Sequence, residues 1–72
     1  DPVMDLVNVA VAANVIEKAG SWFSYGEIRL GQGKEKAADY LRERPELLEE
    51  IRAKVLERAH EVVLVGSEEG EE

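Results

Sequence analysis

The stretch that decides the fold is GSWFSYGEIRLGQGK, residues 20–34. Gly20, Gly26 and Gly31 bound two short segments that are rich in aromatic and aliphatic side chains. Short segments of this kind between turn residues are typical of β-strands. We therefore predict strands at 21–25 and 27–30, paired as a hairpin that turns at Gly26-Glu27.

Helices are predicted on both sides of this hairpin. Asp1-Pro2 places a capping carboxylate before a proline at the first helical position, so a helix should run from there to about Lys18 and end at Gly20. After the hairpin, a second helix should span 34–43. Pro45 ends that helix and starts a third one.

These elements predict an α+β domain: a helix, a small antiparallel sheet of two or three strands, then two helices. The 72 residues suffice for one small domain, which we assign to residues 1–60. Residues 61–72 form a tail. Within the tail, residues 62–65 are either a short third strand or an unpaired lead-in to a disordered acidic end.

Charge is distributed unevenly around the net value of −7: residues 1–60 carry −2, and the tail carries −5 without a single basic residue. The middle of the chain, residues 18–44, carries +2. The net charge therefore conceals a basic middle in front of an acidic tail.

Several function classes are disfavoured by composition. The chain has no cysteine and one histidine, His60, which excludes disulfides, thiolate metal sites and histidine-based triads within these residues. The longest apolar stretch, 6–16, is too short to span a bilayer. Because the chain opens on Asp1-Pro2 rather than Met or a basic leader, we expect a fragment of a longer protein without a signal peptide.

The four residues Gly31-Gln32-Gly33-Lys34 have two possible functions. They do not form a P-loop, since the glycine spacing is wrong and Glu35 stands where a Mg²⁺-binding hydroxyl is needed. A glycine turn that leads into a helix N-terminus with a lysine can bind phosphate. The alternative is a simple strand-to-helix connection, and spacing alone favours it.

The aromatic residues of the hairpin can be placed by strand alternation. Phe23 and Tyr25 should share one face, and Trp22 the other. Exposed aromatics stack on bases in single-strand binders, but a domain with four aromatics needs them for its core. We expect Phe23 and Tyr25 in the core, and Trp22 against the first helix.

Two motifs at fixed separation resemble a known family. The run EKAGSWFSY at 17–25, followed by GQGK at 31–34 and by Pro45-Glu46, is similar to the C-terminal domain of bacterial RecA recombinases. The resemblance covers residues 1 to about 59, and the acidic end is like the tail of that family. The resemblance implies a domain of two layers, one of helices and one of sheet. It also implies that the parent protein forms a homo-oligomeric filament on single-stranded DNA, with this domain on the outside.

The resemblance also implies a function in DNA recombination and repair, within the bacterial SOS response to DNA damage. The domain would capture double-stranded DNA, which it would bind weakly and without sequence specificity. The acidic tail would restrain this binding. The family's DNA-binding lysines match Lys18 and Lys34, while Arg29 stands where relatives have lysine. With Lys36 they form our candidate set for DNA binding.

No enzymatic activity is expected of these residues. The resemblance implies a cytoplasmic parent that is a DNA-dependent ATPase. Its ATP-binding loop, catalytic glutamate and core DNA loops have no counterpart here, so ATP and Mg²⁺ would belong to the missing core domain and no cofactor to this one.

The alternative function is a protein-interaction module that packs on a neighbouring subunit or partner. The first helix, apolar on all sides between 6 and 16, favours that alternative.

Overall fold

The computed structural model describes the backbone of residues 1–70 and the side chains of residues 1–61. In this part of the chain the elements are α1 (Pro2–Ala12), β1 (Glu17–Ala19), β2 (Trp22–Tyr25), β3 (Ile28–Gln32), α2 (Lys34–Arg42) and α3 (Pro45–Gly70). The strands form one antiparallel sheet in the order β1-β2-β3, and the helices pack on one of its faces. The predicted α+β class and its two layers are confirmed.

Helix α1 is shorter than predicted, because it ends at Ala12 rather than near Lys18. Asn14 takes the left-handed conformation, with φ 61°. Its N–H donates to Val11 O at 3.1 Å, and the N–H of Val15 donates to Ala10 O at 2.8 Å. These two bonds close the helix in a Schellman motif, for which asparagine is the usual substitute for glycine.

The third strand is β1, not residues 62–65. Lys18 of β1 lies opposite Phe23 of β2, and Trp22 lies opposite Gln32 of β3. The pairing of β2 with β3 shifts between Phe23 and Ser24, which leaves one extra residue, Leu30, on β3. The predicted turn between β2 and β3 at Gly26-Glu27 is confirmed.

The core lies between the helices and one face of the sheet. Phe23 is buried, as predicted, and Ile51 of α3 is buried as well, whereas Ile28 is 39% exposed and is not part of the core. Ile28 lies at the first position of β3 and lines an open cleft with Tyr40 of α2 and Leu47 of α3. Three alanines are fully buried, because small side chains let the helices approach closely: Ala10, Ala37 and Ala38.

Helix α3 continues through the residues for which a strand and a disordered end were considered. It begins at Pro45 and ends at Gly70, so residues 62–65 are helical. No proline interrupts the chain after Pro45, and extending a formed helix by one residue is easier than starting a new element. Residues 71–72, at the end of the predicted tail, lie outside the described residues.

Candidate nucleic-acid interface

Lys18 lies on β1, an edge strand whose three residues are all exposed. Its Nζ is 5.9 Å from the centroid of the Phe23 ring, the residue directly opposite in the sheet. Cross-strand partners share a face, so Lys18 leaves the sheet on the helix-covered face, at its open border. The predicted position at a helix end is wrong, because Lys18 belongs to β1, where it is exposed.

Arg29 lies on β3, at the opposite edge of the sheet, and faces away from the helices. It is paired with Ser24, and its guanidinium carbon is 5.3 Å from the centroid of the Trp22 ring. A guanidinium at this distance is attracted to the ring electrons and loses some freedom of movement. Arg29 and Lys18 therefore leave the sheet on opposite faces.

Lys34 is the first residue of α2, directly after Gly33, the N-cap. Gly33 has φ 93°, and no side chain caps the helix there. Its own N–H donates to Ser21 O at 2.7 Å, which ties the start of α2 to the turn between β1 and β2. The positive end of the α2 dipole and the Lys34 ammonium group are thus exposed together beside that turn.

Gly31 sets how closely α2 approaches the sheet. A Cβ atom at Gly31, whose φ is 153°, would lie 2.9 Å from Lys36 Cβ and 3.1 Å from the Lys36 carbonyl carbon. The backbone around Lys36 therefore rests against β3, while its side chain is exposed. Because two residues turn a helix by about 200°, Lys36 points to a different side of α2 from Lys34.

The structure brings some of the four basic candidates together (Lys18, Arg29, Lys34 and Lys36). Lys18 and Lys34 lie at the same end of the sheet, on either side of the turn at Ser21. Arg29 reaches towards that end on the outer face through its contact with Trp22, whereas Lys36 lies farther along α2. They surround one end of the domain rather than forming a flat ridge.

Carboxylates do not neutralise these four side chains. Among the described side chains, ion pairs are formed by Arg42 with Asp1 and Asp39, and by Arg52 with Glu49 at 3.2 Å. All four basic candidates are exposed, and none forms an ion pair with the described residues. Their charges are available to an anion.

Trp22 is a feature of this surface that the sequence placed wrongly. It is 42% exposed on the outer face of the sheet instead of packed against α1. Beside it, Gln32 Nε2 donates to Ser21 Oγ at 3.0 Å. Strand alternation had separated Trp22 from Phe23, and that signal alone indicated the outer face.

Tyr25 lies on the other side of the sheet and has a structural role. Its hydroxyl donates to Glu50 Oε2 at 2.6 Å, joining β2 to α3. Burial and this hydrogen bond raise the pKa of Tyr25 to about 12. The hydroxyl group is thus bonded within the domain, which separates Tyr25 from the candidate interface.

Other kinds of site have little support in the described residues. These contain no grouping of three or more histidine, aspartate or glutamate side chains that could hold a metal ion. Within the same part of the chain, every helix is too short or too polar to cross a membrane. The exposed basic groups around the start of α2 are the feature with evident binding chemistry.

A small two-layer α+β domain with an uncapped, basic helix start at one end of its sheet is the class that the fold and site define. The sequence model of the RecA C-terminal domain family matches residues 4–60. The chain belongs to this family, as the two motifs had indicated.

Several relatives have long stretches in common with the chain. Protein RecA of Thermus aquaticus is 89% identical over 72 residues, which cover 99% of this chain and 21% of that protein. Protein RecA of Thermus thermophilus is 83% identical with the same coverage. Protein RecA of Aquifex pyrophilus is 56% identical over 55 residues, 76% of this chain and 16% of the relative. The chain thus spans about a fifth of the length of its Thermus relatives, at 21%.

Proposed function

We propose that this domain captures double-stranded DNA for a recombinase, by binding phosphates through Lys18, Arg29, Lys34 and Lys36. The observation that carries the proposal is that all four side chains are exposed and none is paired with a described carboxylate. Membership of the RecA C-terminal domain family supports it. Contacts of this kind hold DNA without reading its sequence.

The start of α2 is the proposed centre of the interface. Unpaired N–H groups in a first helical turn, the positive end of the dipole and the Lys34 ammonium group attract the same phosphate. Lys18 lies across the turn at Ser21 and can contact a neighbouring phosphate on the same strand. Arg29 extends the positive surface around the edge of the sheet, where its five N–H groups suit a phosphate oxygen pair.

The parent protein is proposed to be a RecA recombinase of a bacterial cytoplasm that forms filaments on single-stranded DNA. ATP hydrolysis, with ATP and Mg²⁺ as cofactors, is assigned to the part of the parent outside these residues. The acidic residues of the tail are proposed to restrain DNA binding, since they add −5 to the charge that approaching phosphates meet.

Amide chemical-shift mapping tests where DNA binds. On adding a short duplex at low salt, the largest shifts should fall on residues 18–22 and 29–36, with small shifts along the exposed face of α3. Shifts concentrated on α3, or on the α1 surface around Val9, would contradict the proposed interface.

A second candidate function is supported by a separate observation. Between the end of α1 and α3 lies an open cleft of about 620 Å³ with an apolar lining, including Val9 and Val55. Val9 is 50% exposed and Leu56, on α3, is 63% exposed. Exposed aliphatic side chains of this size suit a protein partner, as the interaction-module alternative requires. Docking there should be insensitive to salt, unlike DNA binding.

A further inference from the structure

Trp22 is the aromatic side chain of the hairpin that remains available to a ligand. Phe23 is 4% exposed and Tyr25 is bound to Glu50, whereas Trp22 is 42% exposed. Its cross-strand neighbours on the outer face are Ala19 and Gln32, one short and one polar. Because these neighbours are short or polar, the half-exposed indole ring presents part of its surface for stacking.

Arg29 shares this face and contacts the same ring. Its guanidinium carbon is 5.3 Å from the Trp22 centroid, compared with 3.6 Å for Arg44 over Tyr40. At the longer distance the guanidinium is not in close contact with the ring, and the 42% exposure of Trp22 shows that part of its surface is uncovered. A planar guanidinium beside an indole can itself stack on a base or donate to its edge.

The surrounding charges favour one placement of a nucleic-acid backbone on this face. Glu17 lies on the same face, opposite Ser24 and one strand beyond Arg29, and it repels phosphates at that corner. Lys34 attracts them at the other end, beside Gln32. A strand with its phosphates at the start of α2 would therefore place a base over Trp22 without bringing a phosphate near Glu17.

We propose that Trp22 and Arg29 form a stacking site for one unpaired nucleobase of DNA. This proposal rests on the proposed function, since phosphate contacts would hold the strand, and extends it from duplex DNA to segments with unpaired bases. Base stacking on an aromatic side chain needs no hydrogen-bond code, so the site would accept any base.

A protein partner fits this face less well. The other outer-face residues of the two nearest rows are small or polar, namely Ala19, Ser24 and Gln32. A stable protein interface buries about 800 Å² on each partner around an apolar centre. One half-exposed indole beside an arginine is too small for that, whereas it matches the area of a single base.

Trp22 is the sole tryptophan of the chain, so its fluorescence reports directly on the site. The experiment compares a short oligothymidine with an abasic oligonucleotide of equal length, which has the same phosphates and no bases. We expect oligothymidine to quench Trp22 and to bind about tenfold more tightly than the abasic strand. The ratio of the two affinities should persist as salt is raised, because stacking does not release counterions.

Variants separate stacking from phosphate binding. Trp22→Leu should reduce the affinity ratio, measured by anisotropy of labelled strands, to about one, while Trp22→Phe should retain part of it. The Lys18→Ala/Lys34→Ala variant should weaken both strands equally and leave the ratio unchanged. If that variant has no effect while the ratio stays high, the proposed phosphate interface is wrong and the stacking site stands.

Three results would overturn the stacking site. The first is equal affinity for the two strands with duplex binding intact, which leaves the proposed function standing alone. The second is a ratio that survives Trp22→Leu. The third is a Trp22 emission that changes with protein concentration in the absence of DNA, since the face would then be an interface between copies of the chain.

Discussion

Gly31 shows at the level of one residue why a glycine is needed where β3 meets α2. A methyl group there would lie 2.9 Å from Lys36 Cβ, at a φ of 153° that other residues rarely adopt. Because the contact includes backbone atoms of the helix, it cannot be relieved by moving a flexible side chain. The clash would shift the start of α2, and with it Lys34.

The Gly31→Ala variant should therefore lose about 1–3 kcal/mol of unfolding free energy, measured by urea denaturation. Gly20→Ala is the matched control, because Gly20 has φ 63° and open space around its Cβ position. The control should lose only about 1 kcal/mol, from backbone strain. If the two variants are equally stable, the close approach of α2 to Gly31 does not affect the unfolding free energy.

Tyr25 gives a pH-dependent prediction at the same scale. Its pKa is raised from 10.0 to about 12 by burial and by Glu50, so the folded state favours the neutral phenol. The stabilisation is complete below pH 10.0 and is lost as pH rises towards about 12. Tyr25→Phe should cost about 1 kcal/mol at neutral pH, through loss of the hydrogen bond.

Absorbance titration of the tyrosines, combined with urea denaturation, measures both effects. The wild-type chain should show one phenol that ionises near pH 12, absent from Tyr25→Phe. The stability difference between the two proteins should be constant below pH 10.0 and shrink above it. A difference that grows between these pH values would contradict the bond between Tyr25 and Glu50.

At the scale of elements, the end of α1 separates what sequence could predict from what it could not. The start at Pro2 and the later break at Pro45 were readable, because a proline restricts its own and the preceding residue. The end at Ala12 was not readable, because it depends on Asn14 in a left-handed conformation. A glycine at that position would have indicated a helix end, whereas an asparagine does so only weakly. Glu17–Ala19 consists largely of good helix formers, and becomes a strand because it pairs with β2.

The candidate site was predictable in its residues but not in its arrangement. The resemblance to a known family selected Lys18, Arg29 and Lys34. That Lys18 and Arg29 leave the sheet on opposite faces follows from the register of β1 on β2, which single-sequence patterns do not encode. The exposure of Trp22 follows from which face the helices cover.

Asn14 provides the test of how α1 ends. Asn14→Ala should lower the unfolding free energy by about 1 kcal/mol, because alanine resists the left-handed conformation. Asn14→Gly should be as stable as the wild type or more so, since glycine is the preferred residue at this helix end. Thermal unfolding followed by circular dichroism measures both. Equal losses for the two variants would mean that the asparagine side chain, rather than the backbone conformation, matters.

For the whole molecule, the uneven charge is the property with the widest consequence. Residues 61–72 carry −5 of the net −7, so the domain that precedes them is close to neutral, with its basic groups at one end. Acidic residues repel DNA over about the Debye length, roughly 10 Å at 0.1 M salt. The proposed brake on DNA binding should therefore act at low salt and fade at high salt.

Truncation after Gly66 removes Glu68, Glu69, Glu71 and Glu72, which changes the net charge from −7 to −3. Duplex affinity, measured by fluorescence anisotropy, should rise at low salt and the gain should shrink as salt is added. A variant of the 72-residue chain with glutamine at the same four positions is the control for chain length, and it should show the same gain in duplex affinity. Unchanged affinity in both would leave the tail with no effect on DNA.

The most direct test of the central claim, phosphate binding by exposed basic groups, is the salt dependence of duplex binding by the intact chain. Three phosphate contacts, by Lys18, Arg29 and Lys34 at the end of the sheet, should give a log–log slope near −2.7, or roughly 40-fold weaker binding between 50 and 200 mM salt. Lys18→Ala/Lys34→Ala should flatten the slope by about two units. Arg52→Ala/Lys54→Ala removes the same charge from α3 and should leave it unchanged. Equal slopes for wild type and the Lys18/Lys34 variant would contradict the account.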